Sequence, residues 1–329
     1  MNDTAPTTAL APEDVLWRRL VSFEERKRLL TIDPWRSAWT VAINWLVTFA
    51  AMAMVAYWPN PFTVLAALFV IGARQLGMAI VMHEAAHRTL FKQRWLNDLV
   101  GNWLAAYPVW TDLGPYRAYH LKHHAHTWTA EDPDIGLALP FPITRESFRR
   151  KVWRDLSGQT GVKQAILVLN RDLGRGGKRN QRSQEMGLSG GTRADVGWHK
   201  VAPVALTNLV LLATLTAVGY PALYLLWLVS WLTTYRLLTR IRAIAEHSMV
   251  NDPADQMRNT RTTVASWWER LLIAPNRVNF HLEHHLMMTV PHHNLPELHR
   301  LLLERGALDG ANVVHGYREV LRLATSPAA

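Results

Sequence analysis

Eight of the fifteen histidines lie in three short clusters: His83 and His87 in HEAAH, His120, His123 and His124 in HLKHH, and His281, His284 and His285 in HLEHH. Imidazole is a ligand for iron, zinc and copper. On a helix, positions i, i+3 and i+4 share one face, so each cluster can aim its nitrogens at one point. A lone histidine is ordinarily a surface or packing residue. Three clusters of this spacing, in a chain with no cysteine, point to a metal site built from imidazole. Eight nitrogens are too many for one ion, since structural zinc takes four ligands and catalytic zinc three plus water. Two ions with four or five nitrogens each, leaving open positions, fit the count. The missing thiols also exclude disulfides, a thiolate zinc site and a fused iron–sulfur domain.

The segments that must position these clusters are apolar. Mean hydropathy is near zero, which hides a segregation: no Asp, Glu, Lys or Arg occurs from Ser37 to Ala73, or from Val201 to Tyr235. A crossing helix needs about 20 apolar residues for a hydrocarbon core of roughly 30 Å. Each run is nearly twice that and is broken once, by Trp58-Pro59-Asn60-Pro61 and by Gly219-Tyr220-Pro221. The sequence therefore predicts an all-α integral membrane protein with four transmembrane helices in two hairpins and a helical cap holding a di-metal site. Two long buried helices of a soluble protein are the alternative, but such helices run about 8–20 residues with an amphipathic stripe.

The net charge of +10 is carried away from the hairpin turns. Basic residues fill the N-terminal segment, the loop from Arg74 to Lys200 and the chain after Arg236. That bias marks the cytoplasmic side and argues against nucleic acid as partner. Both termini and all three clusters are then cytoplasmic. One domain results: a cytoplasmic segment (1–36), a first hairpin (37–82), a cap with two clusters (83–200), a second hairpin (201–239) and a cap with the third (240–329). The second crossing helix lacks proline and is expected to run on to about Leu90, with Arg74 snorkelling at the membrane boundary. Residues 14–30 suit a surface helix, 95–113 an interfacial or re-entrant segment, and 171–197 a glycine-rich loop. GRGGKR within that loop lacks phosphate-loop spacing.

The order H-x-x-x-H, H-x-x-H-H, H-x-x-H-H, with the last after a second hairpin, resembles the membrane fatty acid desaturase and hydroxylase superfamily from about Trp35 to His299. The resemblance implies two iron ions held by the eight clustered histidines, dioxygen as co-substrate, and electrons from an external donor such as ferredoxin with its reductase. It also implies His247, in RAIAEHSMV, as a ninth ligand. Ala243 stands where some relatives carry an asparagine near the second metal. The RIRAIAEHS and NRVNFHLEHH segments look most like bacterial acyl desaturases. Introduction of a double bond into a long-chain acyl lipid, in the bacterial inner membrane, is the expected activity. Hydroxylation or another oxygenation of a lipid, carotenoid, sphingolipid or alkyl chain is the alternative on the same site.

Metal-bound imidazoles usually donate their second N–H to a carboxylate, carbonyl or water; Glu84, Asp132, Asp134, Glu246 and Glu283 are the candidates. His126, His199, His292, His293, His299 and His315 are expected at the surface or in packing. Trp103, Tyr107, Trp110 and Trp267 are expected to line a passage for the acyl chain. HEAAH also fits the H-E-x-x-H zinc protease signature with Glu84 as base, a reading that leaves at least five clustered histidines without a role.

Overall fold

The computed structural model describes residues 20–175 and 196–326. The chain is mostly helical, as expected, and its first helices begin at capping residues. Ser22 and Glu25 form a capping box on α1 (Phe23–Leu29). Asp33 accepts from the Trp35 and Arg36 amides, and Pro34 opens α2 (Pro34–Tyr57). Asn60 and Pro61 do the same for α3 (Pro61–His87). There follow α4 (Arg94–Gly101), a π turn (Asn102–Ala106), a 3-10 turn (Tyr107–Val109), α5 (Leu113–His126), α6 (Ile135–Ala138), α7 (Arg145–Leu156) and α8 (Gln159–Asp172). Next are α9 (Trp198–Ala217), α10 (Tyr224–Leu232), α11 (Thr234–His247), α12 (Trp267–Leu272), α13 (His281–Leu286), α14 (Leu295–Glu304) and α15 (Tyr317–Ala324). Among the described residues the only strands, β1 (Thr262–Val264) and β2 (Val313–His315), pair in parallel.

Three stretches are long and apolar enough to cross a membrane: Phe23–Tyr57, Pro61–His87 and Trp198–Ala217. In the first, the non-helical residues ending at the Asp33 cap leave α2 as the crossing part. The expected fourth helix is not continuous. Thr233 leaves helical geometry (φ −122°, ψ −87°) and divides α10 from α11. The break is held by side chains: Thr234 Oγ1 donates to the Leu68 carbonyl at 2.6 Å, and Arg236 Nε to the Trp231 carbonyl at 3.1 Å. The Arg236 guanidinium also lies 3.9 Å from the Trp231 ring centroid.

Helix α3 is the hub, packing on α2, α4, α5, α10 and α11. Small residues allow the closest approaches. A Cβ at Gly77 would sit 2.0 Å from Asn44 Oδ1, and one at Gly161 would sit 2.2 Å from the Leu232 carbonyl oxygen. Asn276 Nδ2 donates to the Gly77 carbonyl at 2.7 Å, which joins the loop before α13 to the middle of α3. Arg74 is buried rather than snorkelling: its guanidinium donates to the Leu271 carbonyl on α12. The carbonyl on α12 removes the reason for that side chain to reach for water.

Helix α3 stops at His87, short of Leu90, because Arg88 turns left-handed (φ 61°). Arg117 of α5 takes the freed carbonyls of Ala85 and Ala86. A second, smaller apolar cluster lies apart from the main core. It gathers Val21, Leu29, Leu282, Leu298, Leu301 and Leu302, and is clamped by Arg28–Glu297 at 2.6 Å and Arg305–Glu25 at 2.6 Å. On α4 and the following turn, Trp95, Leu99, Trp103 and Leu104 are exposed. Most of the 171–197 loop and the start of the 14–30 segment lie outside the described residues.

The Gly161 contact is with backbone, which cannot rotate away. Gly161→Val is expected to destabilise the detergent-solubilised protein by about 1–3 kcal/mol. Gly114→Ala, where the nearest atom is 3.5 Å away, should leave the thermal midpoint unchanged. Equal midpoints for both variants would show that α8 does not pack on the Thr233 break.

Candidate metal centre

The four elements that carry the histidines meet at the far end of α3. His83 and His87 lie on the last turns of α3, and His120, His123 and His124 on α5. His247 ends α11, and His281, His284 and His285 occupy α13. These nine side chains sort into two groups whose nitrogens lie within 4.8 Å of one another: His83, His87, His120, His124 and His284 in one, His123, His247, His281 and His285 in the other. Each cluster except the first is divided between the groups. The i, i+3 and i+4 positions thus do not serve a single point, as spacing alone suggested, but two adjacent ones.

In the first group Nε2 of His120 is 2.9 Å from that of His87 and 3.0 Å from that of His124, which is 3.0 Å from that of His284. In the second, Nε2 of His247 is 3.2 Å from that of His123 and 2.8 Å from that of His281. Nitrogens at right angles around an ion, each about 2.1 Å from it, are about 3.0 Å apart. Buried nitrogens without a hydrogen-bond partner occur in both groups, among them His83 Nε2 in the first and His285 Nε2 in the second. A cation is what such a donor set lacks, and these residues fit one ion per group.

Burial pushes His120, His124, His247, His281, His284 and His285 well below the ordinary histidine range, so their rings are neutral and their lone pairs free. His123 is the exception. Burial opposes its protonation, but the Asp132 hydrogen bond and the charges of Asp134 and Asp132 outweigh it and raise the value.

The outer contacts fix the rings. His123 Nδ1 pairs with Asp132 at 2.8 Å, and Asp132 also accepts from the Trp128 and Asp134 amides. His281 Nδ1 lies 3.5 Å from Glu246, which Arg242 holds from one turn earlier. Glu84 lies 3.4 Å from His83 and accepts from Thr89 and from the His292 amide. Asp134 is 3.8 Å from His123 and accepts from the Tyr119 hydroxyl. Glu283 departs from expectation: it accepts from His299 Nδ1 at 2.6 Å and from Thr262, not from a clustered histidine.

Two histidines expected to be ordinary serve this frame. His292 is 3% exposed and links Glu84 to Thr40 of α2, 2.9 Å from its Nε2. His299 holds Glu283. His293 packs edge-on against His292, while His126 is half-buried, and His199 and His315 are exposed. Tyr116, stacked on His120 with ring centroids 5.3 Å apart, was not anticipated, although it precedes that histidine by one helical turn and so shares its face. Arg242 stands in the same relation to Glu246. Of the four aromatics expected to line a passage, Trp267 is 72% exposed and faces outward. Tyr107 meets Trp103 edge-on, and Trp110 packs on Trp231.

Residues 59–317 match the fatty acid desaturase family. The dihydrorhizobitoxine desaturase of Bradyrhizobium elkanii is 30% identical over 251 residues, 73% of this chain and 67% of that one. The sn-1 oleoyl-lipid 12-desaturase of Anabaena variabilis is 25% identical over 283 residues, 79% and 74% of the two chains. The β-carotene ketolase of Haematococcus lacustris is 32% identical over a shorter stretch of 101 residues, 30% and 32%. The chain belongs to the fatty acid desaturase family. It is a membrane protein and an oxidoreductase of the desaturase type. The zinc protease reading of HEAAH has no support left: Glu84 is occupied by Thr89 and His292, and both histidines sit in the five-membered group.

Groups that orient a metal-binding imidazole usually tune affinity ten- to a hundredfold. Asp132→Ala is expected to weaken metal binding by about that factor in chelator competition, with Asp132→Asn in between. Unchanged binding in Asp132→Ala would remove Asp132 from the site.

Proposed function

We propose that this protein is an O2-dependent, two-iron desaturase of a long-chain acyl group, fed by an external electron donor such as ferredoxin with its reductase. The observation that carries the reading is the division of nine buried imidazoles into two adjacent groups. His83, His87, His120, His124 and His284 would hold one iron; His123, His247, His281 and His285 would hold the other. When bound, the irons supply activation of dioxygen and removal of hydrogen from an unactivated C–H bond. The balance is that O2 becomes two waters, taking two electrons and two protons from outside and two hydrogen atoms from adjacent carbons of the substrate, which becomes the alkene.

The chain's own residues hold and shield this chemistry. Asp132 and Glu246 fix ring orientation, and Glu84 with His292 ties the end of α3 to α2. We read α10 with the first turns of α11 as the fourth crossing, and the single domain divided as its charges indicate. The site then faces the cytoplasm from the bacterial inner membrane. A passage of fixed depth selects chain length, because each buried CH2 contributes about 0.8 kcal/mol.

A second reading, oxygenation without desaturation, is favoured by the match to a β-carotene ketolase. The name of the Bradyrhizobium relative adds a substrate that is not an oleoyl lipid. Mass spectrometry of lipids from a host expressing the chain decides among these. A double bond at one fixed position is expected, formed only when a donor is supplied; a hydroxyl or keto product, or turnover without a donor, overturns the desaturase reading. Purified protein should carry close to two irons. His247→Ala should lose iron and nearly all turnover, while the exposed His315→Ala keeps both; full iron and activity in His247→Ala would exclude it as a ligand.

A further inference from the structure

Helices α7 and α15 both pack on α11, the helix that ends at His247. Between them lies a pocket of about 300 Å³ lined by Arg145, Arg149, Arg318 and Arg322, with Phe148 and Leu321 as its apolar floor. All four arginines are exposed and both floor residues half-buried. Arg322 is paired with Glu319 on the same helix, and Glu146, the nearest acid in sequence on α7, is paired with Arg150. Arg145, Arg149 and Arg318 have no carboxylate within 4 Å among the described residues. Three uncompensated guanidiniums around one concavity leave a positive site that nothing in the metal centre uses.

The C-terminal end of α7 is level with the start of α11: Asp155 is paired with Arg240, and beyond it Gly161 abuts Leu232. Arg236 and Arg240 are the first charges after the charge-free run, so this end marks the membrane boundary. Arg145 lies ten residues back along α7, about 15 Å along the helix axis at 1.5 Å per residue, a length greater than the roughly 6 Å depth of a headgroup layer. At the pocket's level, the start of α15 is fastened to the cap by the Tyr317 amide donating to Glu269, and the end of α15 by the Ile143 amide donating to the Ala324 carbonyl. The arginines therefore stand on helices tied to the cap, where a soluble partner can reach them.

We propose that this arginine-lined pocket is the docking surface for an acidic, soluble one-electron carrier protein. The proposal rests on the reading of the chain as a donor-dependent desaturase. The sequence contains no cysteine, so these residues hold no iron–sulfur relay, and on that reading electrons arrive from an external donor. The pocket's two helices flank α11, which makes this face a short way to the four-histidine group. Clustered like charges steer an oppositely charged partner and make association fall with salt. The apolar floor gives the partner a desolvated centre inside a charged rim.

The test uses full-length, metal-loaded protein in nanodiscs of zwitterionic lipid, with a plant-type [2Fe–2S] ferredoxin as probe and binding followed by biolayer interferometry across ionic strength. Wild-type binding is expected to weaken steeply with salt. Arg318→Glu should raise Kd at least tenfold and flatten the salt dependence, and Arg149→Glu should do the same. Arg300→Glu, the same charge change on the distant helix α14, should raise Kd less than twofold. Equal weakening by Arg300→Glu, salt-independent binding, or no binding by wild type overturns the proposal. So does a loss in Arg318→Glu confined to vesicles containing phosphatidylglycerol or to inorganic phosphate. Iron content and product formed with a small-molecule reductant are measured on the same samples. Their loss in wild type refutes the parent reading, whereas their retention in Arg318→Glu with weakened ferredoxin binding supports the docking surface alone.

Discussion

Imidazole nitrogens brought to 2.8–3.2 Å of one another repel when both present lone pairs, as they must to share a cation. Burial keeps most of these rings uncharged, since charging a ring there costs its hydration. The fold must therefore supply the force that holds nine rings inward, and much of its architecture does this. Helix α3 delivers two of the rings from a rod whose flank is buried against five neighbouring helices. Helices α5, α11 and α13 each deliver theirs from a terminus or short segment, where a small rotation would swing a ring out.

Polar contacts inside an apolar bundle prevent that rotation. Asn276 ties the approach to α13 onto the Gly77 carbonyl, Arg117 locks α5 to the end of α3, and Thr234 locks the start of α11 to Leu68. Each uses a backbone carbonyl as its anchor, which fixes axial position as well as lateral distance. In low dielectric such bonds are strong, and leaving the same groups unpaired is costly. The break at Thr233 fits this logic. One non-helical residue lets the two halves be aimed separately, Trp227 and Trp231 into the core and His247 into the metal centre.

The histidine clusters were legible in sequence because ligands on one helix must repeat at helical spacing. Their assignment to two groups was not, because it depends on how α5 and α13 cross, a relation between residues 160 positions apart. Helices α2, α3 and α9, long and apolar enough to cross a membrane, were legible from uncharged length, and the starts of the first two from Asp33-Pro34 and Asn60-Pro61. Arg74 was misplaced because a charge at a membrane edge is ordinarily read as reaching for water, while its carbonyl partner Leu271 lies 197 positions away. His292 and His299 looked ordinary for a related reason: they orient carboxylates rather than a metal, and no local spacing marks that role. Tyr116 and Arg242 could have been found by applying the one-turn rule to the site residues themselves.

The two hydrophobic clusters differ in what they hold. Leu282 sits between His281 and Glu283 in sequence, yet its side chain belongs to the small cluster with Val21, Leu29 and Leu298 rather than to the main core. Helices α1, α13 and α14 thus form a unit with its own interior, fastened at the rim by two ion pairs. Units of this kind open as cooperative pieces at a lower free energy than global unfolding. Backbone amides of α13 and α14 would then exchange with solvent together, while those in the middle of α3 remain protected. Three rings of the centre therefore ride on the more easily opened unit, so its opening would release His281, His284 and His285 together while α2, α3 and α9 stay in place.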